Sequence, residues 1–306
     1  MPTRRSASTD AAAPVGAFEA FAAAKRPSLE QALRRSLPPP APGAQELSRA
    51  IADAALSPGK RLRPLAALAA GKLAGAPESA AMAMAVAVEM VHAASLVLDD
   101  LPSMDDARRR RGRPALHVVY GVATAELASV ALLSKAFELV AAAGEIPGPA
   151  RARIVQELAA AVGAEGCCAG QAADLATDPG AAALEDLEAI HARKTGALFV
   201  AAVRAGALSG GAGERTLGAL TRFARNLGLA FQITDDLLDL EGDPERMGKD
   251  AGRDAHRANF ATILGADSCR RLVDELLGAA CDALNPLGRR AAVLADLPRV
   301  VRDRRS

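Results

Sequence analysis

Six aspartates fall in two tight groups: Asp99, Asp100 and Asp105 in LDDLPSMDD, and Asp235, Asp236 and Asp239 in QITDDLLDLEGD. Adjacent carboxylates repel one another unless cations hold them, so each group is suited to gathering a divalent metal and, through it, phosphate. Cations flank both groups. Lys60, Arg61 and Arg63 of GKRLRP precede the first, and the arginines at 108–111 with Arg113 follow it. Lys194-Thr195 precedes the second, and a polar loop with Gly248, Lys249, Asp250, Gly252, Asp254 and Arg257 follows it. Metal on the carboxylates with guanidinium forks on the outer oxygens is a natural clamp for diphosphate.

The elements that carry these residues read as helices. Alanine dominates, Trp is absent and Tyr120 is the only tyrosine, which favours close helix packing over sheet. The pattern predicts helices over 26–37, 44–56, 63–75, 78–100, 115–120, 122–143, 149–171, 184–191, 194–209, 213–239 and 267–284, with a weaker one near 288–302. No strand pattern competes, and the breaks fall at Pro/Gly signals such as GEIPGP and LSGGAG. Asp235 and Asp239 stand at i and i+4, on one helical face. Asp99 and Asp105 are six apart with Pro102 between, so a widened turn after Asp100 is required to aim them together. His92, seven residues before Asp99, shares its face about 10 Å away.

Half the 306 residues are hydrophobic, enough for a substantial core. A net charge of +1 gives the whole chain no bias toward nucleic acid or anionic membrane. Cys167, Cys168, Cys269 and Cys281 make neither a zinc pattern nor a disulfide framework, which fits a reducing cytoplasm. The apolar run from Ala80 to Val88 reaches Leu98 only past Glu89 and His92, so a buried helix is expected there rather than a membrane span. Residues 1–25 read as a disordered tail, and a helix entered through Pro27 begins the domain that runs over 26–306.

GKRLRP, EMVHAASLVLDDLPSMDDARRRRGRP, AGQAADL, HARKTGALF and FQITDDLLDLEGDPERMGKDAGRD, in that order and spacing, resemble the signatures of the trans-isoprenyl diphosphate synthases. The resemblance covers about 26–285. It implies the isoprenoid synthase fold, a single-domain all-α bundle around a central cavity. The implied reaction condenses isopentenyl diphosphate with an allylic diphosphate, whether dimethylallyl, geranyl or farnesyl. It also implies three Mg2+ ions on Asp99, Asp100, Asp105, Asp235 and Asp239, with Asp236 assisting. Arg110, Lys194 and Lys249 then hold the allylic diphosphate, with Arg257 where a phosphate-binding lysine is common. Lys60, Arg63, His92 and Arg111 match the metal-free isopentenyl diphosphate site. Thr195 and Gln232 match positions whose oxygens face the developing cation, and a homodimer is usual in the family.

The family sets product length with bulky residues four and five positions before the first aspartate. Here these are Ser95 and Ala94, so the tail passes at least one further helical turn, about 5.4 Å, and a twenty-carbon product, geranylgeranyl diphosphate, is expected. Met90, Val91 or Phe137 would form the next floor. The alternatives are a fifteen-carbon (farnesyl diphosphate) synthase and a non-catalytic regulatory subunit; a terpene cyclase is disfavoured by the matched isopentenyl diphosphate positions. Ser129-Val130 replaces a Gly-Asp pair usual in the family, with an effect expected on packing or loop closure, and Pro58 is expected to stiffen the loop before Lys60.

Overall fold

A computed structural model describes residues 16–40, 42–178, 183–241 and 259–304. Lys249 and Arg257, with the rest of the polar loop after the second aspartates, lie outside the described residues.

Two helices that are apolar nearly all round, α3 (Leu62–Ala74) and α10 (Ala197–Ser209), pack against each other at the centre. Side chains such as Leu65, Leu68, Phe199 and Val203 are buried on them and only Lys72 is exposed, as expected of helices at a core. On one side α4 (Glu78–Asp99) packs on both, and is covered in turn by α6 (Val122–Ala142), which also contacts α2 (Gln45–Ala55). On the other, α11 (Glu214–Glu241) packs on α10. The aspartates therefore end two helices separated by the α3/α10 pair. α4 is long and apolar enough to cross a membrane, but 67 % of its most apolar window is buried in the bundle, and its polar residues Glu89 and His92 have partners there.

The first helix, α1 (Ala17–Ser36), begins well before Pro27, which sits inside it. The expected disordered tail therefore fails over 17–25. Phe18, Phe21, Ala22, Leu29 and Leu33 are all buried on it, and that apolar stripe outweighs the hydrogen bond Pro27 forfeits. The helix expected over 149–171 is two: α7 (Gly148–Val162) and α8 (Cys167–Ala176). Between α9 (Leu184–His191) and α10 the chain forms one π turn, Ala192–Gly196, so Lys194 does not begin a regular helix. After the second aspartates come α12 (Phe260–Leu264), not foreseen, and α13 (Ala266–Leu284). Asn259 starts α12 by accepting from Thr262 N–H at 2.8 Å. A 3₁₀ segment, Asn285–Ala291, and two short helices, α14 (Ala292–Ala295) and α15 (Leu297–Arg302), replace the weak helix near 288–302.

The arginine run contains a small hairpin, for which the sequence showed no strand pattern, within an otherwise all-α fold. β1 (Arg109–Arg110) pairs antiparallel with β2 (Arg113–Pro114). Arg111 and Gly112 form its two-residue turn at φ 51° and 76°, the positive values that match the twist of a hairpin. A short helix, α5 (Leu116–Tyr120), leads into α6.

Candidate active site

The widened turn expected after Asp100 is present: Asp105 N–H donates to Asp99 C=O at 2.9 Å, and Asp106 takes up φ 47°. Burial pushes the Asp99 carboxyl up to about 6, with Asp105 and Asp100 adding repulsion against the pull of Lys194 and Arg110. Asp100 is buried, and the hairpin swings Arg110 onto it: Nε donates to Oδ2 at 2.7 Å and Nη2 to Oδ1 at 2.5 Å. The opposite turn residue, Arg111, reaches the loop before α3 and donates to Pro58 C=O at 2.5 Å. Gly59 makes room for it, since a Cβ there would lie 2.4 Å from the guanidinium. Arg26 of α1 holds the same loop through the carbonyls of Gly59 and Lys60 at 3.0 and 2.9 Å.

Across the cleft, Thr195 in the π turn donates to Gln232 Oε1 at 2.9 Å, and Gln232 Nε2 donates to Asp236 Oδ1 at 3.0 Å. The other oxygen of Asp236 accepts the Phe260 N–H at 2.9 Å. Asp236 is thus turned inward, its carboxyl raised to about 6 chiefly by burial. Asp235 pairs with Arg304, 2.7 Å away. Asp239 is half-buried on the same face. Lys194 pairs with Asp174 of α8 at 2.6 Å. Gly170 permits that approach, because a Cβ on it would meet the Lys194 backbone nitrogen at 2.3 Å.

Arg63 joins the two walls. Its Nη1 lies 3.4 Å from His92 Nε2 on α4, while its guanidinium stacks 4.3 Å over Phe199 and 5.7 Å from the ring centre of Phe231 on α11. Burial, then repulsion from Arg63 and Arg111, holds His92 well below its ordinary value, so it is neutral and accepts from Arg63. Burial also lowers Arg63 to about 10. A cavity of about 210 Å3 opens beside His92, Asp100, Arg110 and Arg111; one of about 320 Å3, between α8 and α9, contains none of the expected site residues.

Lys60, Arg63, His92 and Arg111 thus meet around the start of α3, and Asp99, Asp100, Asp105 and Arg110 meet around the end of α4. Thr195, Gln232 and Asp236 form one chain of hydrogen bonds. Ala94 is fully buried and Ser95 half-buried one turn above Asp99. Ser95 donates to His92 C=O at 3.0 Å. Val130 is 60 % exposed on α6. Sequence reasoning missed Asp174, although AGQAADL contains it, and Arg304, for which no motif signals. It also missed the buried pairing of Arg61 with Glu89, and of Arg61 Nε with Glu30 at 2.9 Å.

Among the described residues no three carboxylate, histidine or cysteine side chains converge into a ready-built metal cluster. The donors nevertheless fit a hard dication: oxygens only, with Asp99 and Asp236 both held above the usual carboxylate range.

The polyprenyl synthetase family model matches residues 44–272. The chain belongs to the polyprenyl synthetase family. It is 40 % identical over 274 residues to geranylgeranyl pyrophosphate synthase 12, chloroplastic, of Arabidopsis thaliana, covering 87 % of this chain and 76 % of that one. Identity to the farnesyl diphosphate synthase of Geobacillus stearothermophilus is 43 % over 226 residues, 72 % of this chain and 76 % of the relative. In three dimensions it superposes on an FPP/GFPP synthase from Zymomonas mobilis with a TM-score of 0.83 and 32 % identity, covering 92 % of this chain and 98 % of the other. The fold is therefore the all-α isoprenoid synthase fold, and this polyprenyl synthetase is a trans-prenyltransferase.

Proposed function

We propose that this prenyltransferase joins isopentenyl diphosphate to an allylic diphosphate and releases geranylgeranyl diphosphate. Related enzymes carry names that span farnesyl, geranylgeranyl and geranylfarnesyl products, so product length must be argued from this chain's own residues. The carrying observation is the pair of small side chains, Ala94 and Ser95, above Asp99 on α4. With nothing bulky there, a fifteen-carbon tail meets no floor.

Asp99, Asp100 and Asp105 on one wall and Asp235 and Asp239 on the other, with Asp236 in support, would hold three Mg2+ ions, which when bound would neutralise the departing diphosphate. Arg110 and Lys194, with Lys249 and Arg257, grip its remaining oxygens; Arg110 and Lys194 exchange their carboxylate partners Asp100 and Asp174 for phosphate. Lys60, Arg63, His92 and Arg111 hold isopentenyl diphosphate without metal. Because Thr195 gives its hydroxyl proton to Gln232, and Gln232 is fixed by Asp236, the Thr195 lone pairs remain to face the developing carbocation. Such dipoles stabilise it without a nucleophilic charge that would trap it. Exclusion of water by the surrounding apolar helices keeps the cation from hydrolysis.

The enzyme acts as a homodimer in a reducing cytoplasm. Val118, Val119, Val122, Leu127 and Val130 form an exposed apolar face on α5 and α6 suited to a second copy, and all four cysteines are free. Incubation with labelled isopentenyl diphosphate, Mg2+ and each of dimethylallyl, geranyl and farnesyl diphosphate tests the product. A twenty-carbon product from all three primers is expected; accumulation of fifteen carbons contradicts the reading.

A further inference from the structure

Residues 57–61, between α2 and α3, form no regular element. The carbonyl of Lys60 cannot be claimed by α3, because the residue four positions on is Pro64, which has no N–H. Three consecutive carbonyls in this loop accept from arginine side chains instead. Pro58 accepts from Arg111 at 2.5 Å, and Gly59 and Lys60 accept from Nη1 and Nη2 of Arg26 at 3.0 and 2.9 Å. One turn after Arg26 on α1, Glu30 accepts from Arg61 Nε at 2.9 Å. Neighbouring residues of one helical face thus grip the loop twice, a guanidinium fork on the backbone of Gly59 and Lys60 and a carboxylate on the side chain of Arg61.

The grip has a conformational task. Arg61 is held at φ 54°, a left-handed conformation that a residue other than glycine keeps only where its surroundings over-determine it. That bend divides the side chains of the loop. Arg61 turns into the bundle against Glu89, whereas the ammonium of Lys60 lies in the field of Arg304, Asp235 and Arg111. Release of the two carbonyls opens other conformers to the loop, and apparent affinity falls with the fraction that still presents Lys60 to the cleft.

Building on the reading of Lys60, Arg63, His92 and Arg111 as the isopentenyl diphosphate cradle, we infer that Arg26 is a positioning residue for that cradle. From α1, its guanidinium fork fixes the Gly59–Lys60 backbone and so aims Lys60 at the diphosphate. The first helix is then part of the substrate site as well as cover for the core.

Steady-state kinetics and metal-free calorimetric titration with isopentenyl diphosphate test this on Arg26→Met, Arg26→Lys, Lys60→Met and the double variant Arg26→Met/Lys60→Met. Lys25→Met, which removes the neighbouring cation paired with Glu78 at 2.6 Å, is the control and matches wild type. Loss of the two hydrogen bonds in Arg26→Met raises KM and Kd for isopentenyl diphosphate about 5- to 20-fold, while kcat and KM for the allylic diphosphate stay within about twofold. Arg26→Lys, a point charge that cannot fork across two carbonyls, recovers part of the affinity. Because Arg26 acts through Lys60, the double variant binds about as weakly as Lys60→Met alone. Wild-type affinity in Arg26→Met beside a weakened Lys60→Met overturns the assignment, as do equal losses for both substrates or fully multiplied losses in the double variant. Unchanged affinity in Lys60→Met refutes the cradle itself, a different failure.

Discussion

Arg61 lies between Lys60 and Arg63 in the chain, and it points the other way. Held at φ 54°, it directs its guanidinium into the bundle, where its side chain is 2 % exposed, against Glu89 of α4, 4 % exposed, and Glu30 of α1, 32 % exposed. Arg61→Met leaves the Glu89 carboxylate buried and uncompensated, with one oxygen, Oε2, that has no partner to begin with. Removing one partner of a buried pair costs about 3–5 kcal/mol. With an unfolding entropy near 2.1 cal/mol/K per residue over 306 residues, the melting temperature falls by about 5–8 °C. Glu30 can rehydrate and contributes little to that loss. The double variant Arg61→Met/Glu89→Met, which removes the stranded charge, recovers much of it. Thermal melts followed by circular dichroism measure all three proteins. A single variant melting within 1 °C of wild type, or a double variant less stable than the single, refutes the view that this pair anchors the start of α3.

Other consequences follow from the site. Asp99 and Asp236 are both held at about 6, chiefly by burial. The folded protein without metal therefore binds more protons than the unfolded chain between about pH 4 and 6, and their contribution to stability falls as pH rises through that window. The effect is on the order of 2–3 kcal/mol per carboxylate; urea melts with a chelator present show it, and Asp99→Asn/Asp236→Asn flattens the slope. Gly59→Ala places a methyl against Arg111, an overpacking worth about 1 kcal/mol, so KM for isopentenyl diphosphate rises about fivefold with little change for the allylic substrate. Unchanged kinetics would show that Arg111 has room to move. Ala94→Phe fills the space above Asp99 and shifts the main product from twenty to fifteen carbons by chromatography; an unchanged product places the floor elsewhere.

Much of this was legible in the sequence because local rules and global fold agree. The apolar run of α4, the apolar spacing along α11 and their Asp-rich ends gave helices, walls and chemistry together, and the turn after Asp100 followed from spacing alone. What escaped notice depends on distant partners. Pro27 masked the start of α1, because the stripe from Phe18 to Leu33 has value only once packed. The hairpin at Arg109–Pro114 hid inside a run of like charges, and its turn is what sends Arg110 to Asp100 and Arg111 to Pro58. Asp174 and Arg304 find Lys194 and Asp235 across 20 and 69 residues of chain, and no single-sequence pattern predicts such pairings.

On the proposed mechanism, carboxylates on opposed helix ends jointly hold the metal that releases the allylic diphosphate. The most direct measurement of this is transfer of labelled isopentenyl diphosphate by wild type, Asp99→Ala and Asp235→Ala, each with Mg2+ and with a chelator. Activity in the wild type with Mg2+ alone, and near-complete loss in both folded variants, is the predicted result. Full turnover in either variant, or in wild type with the chelator, contradicts it.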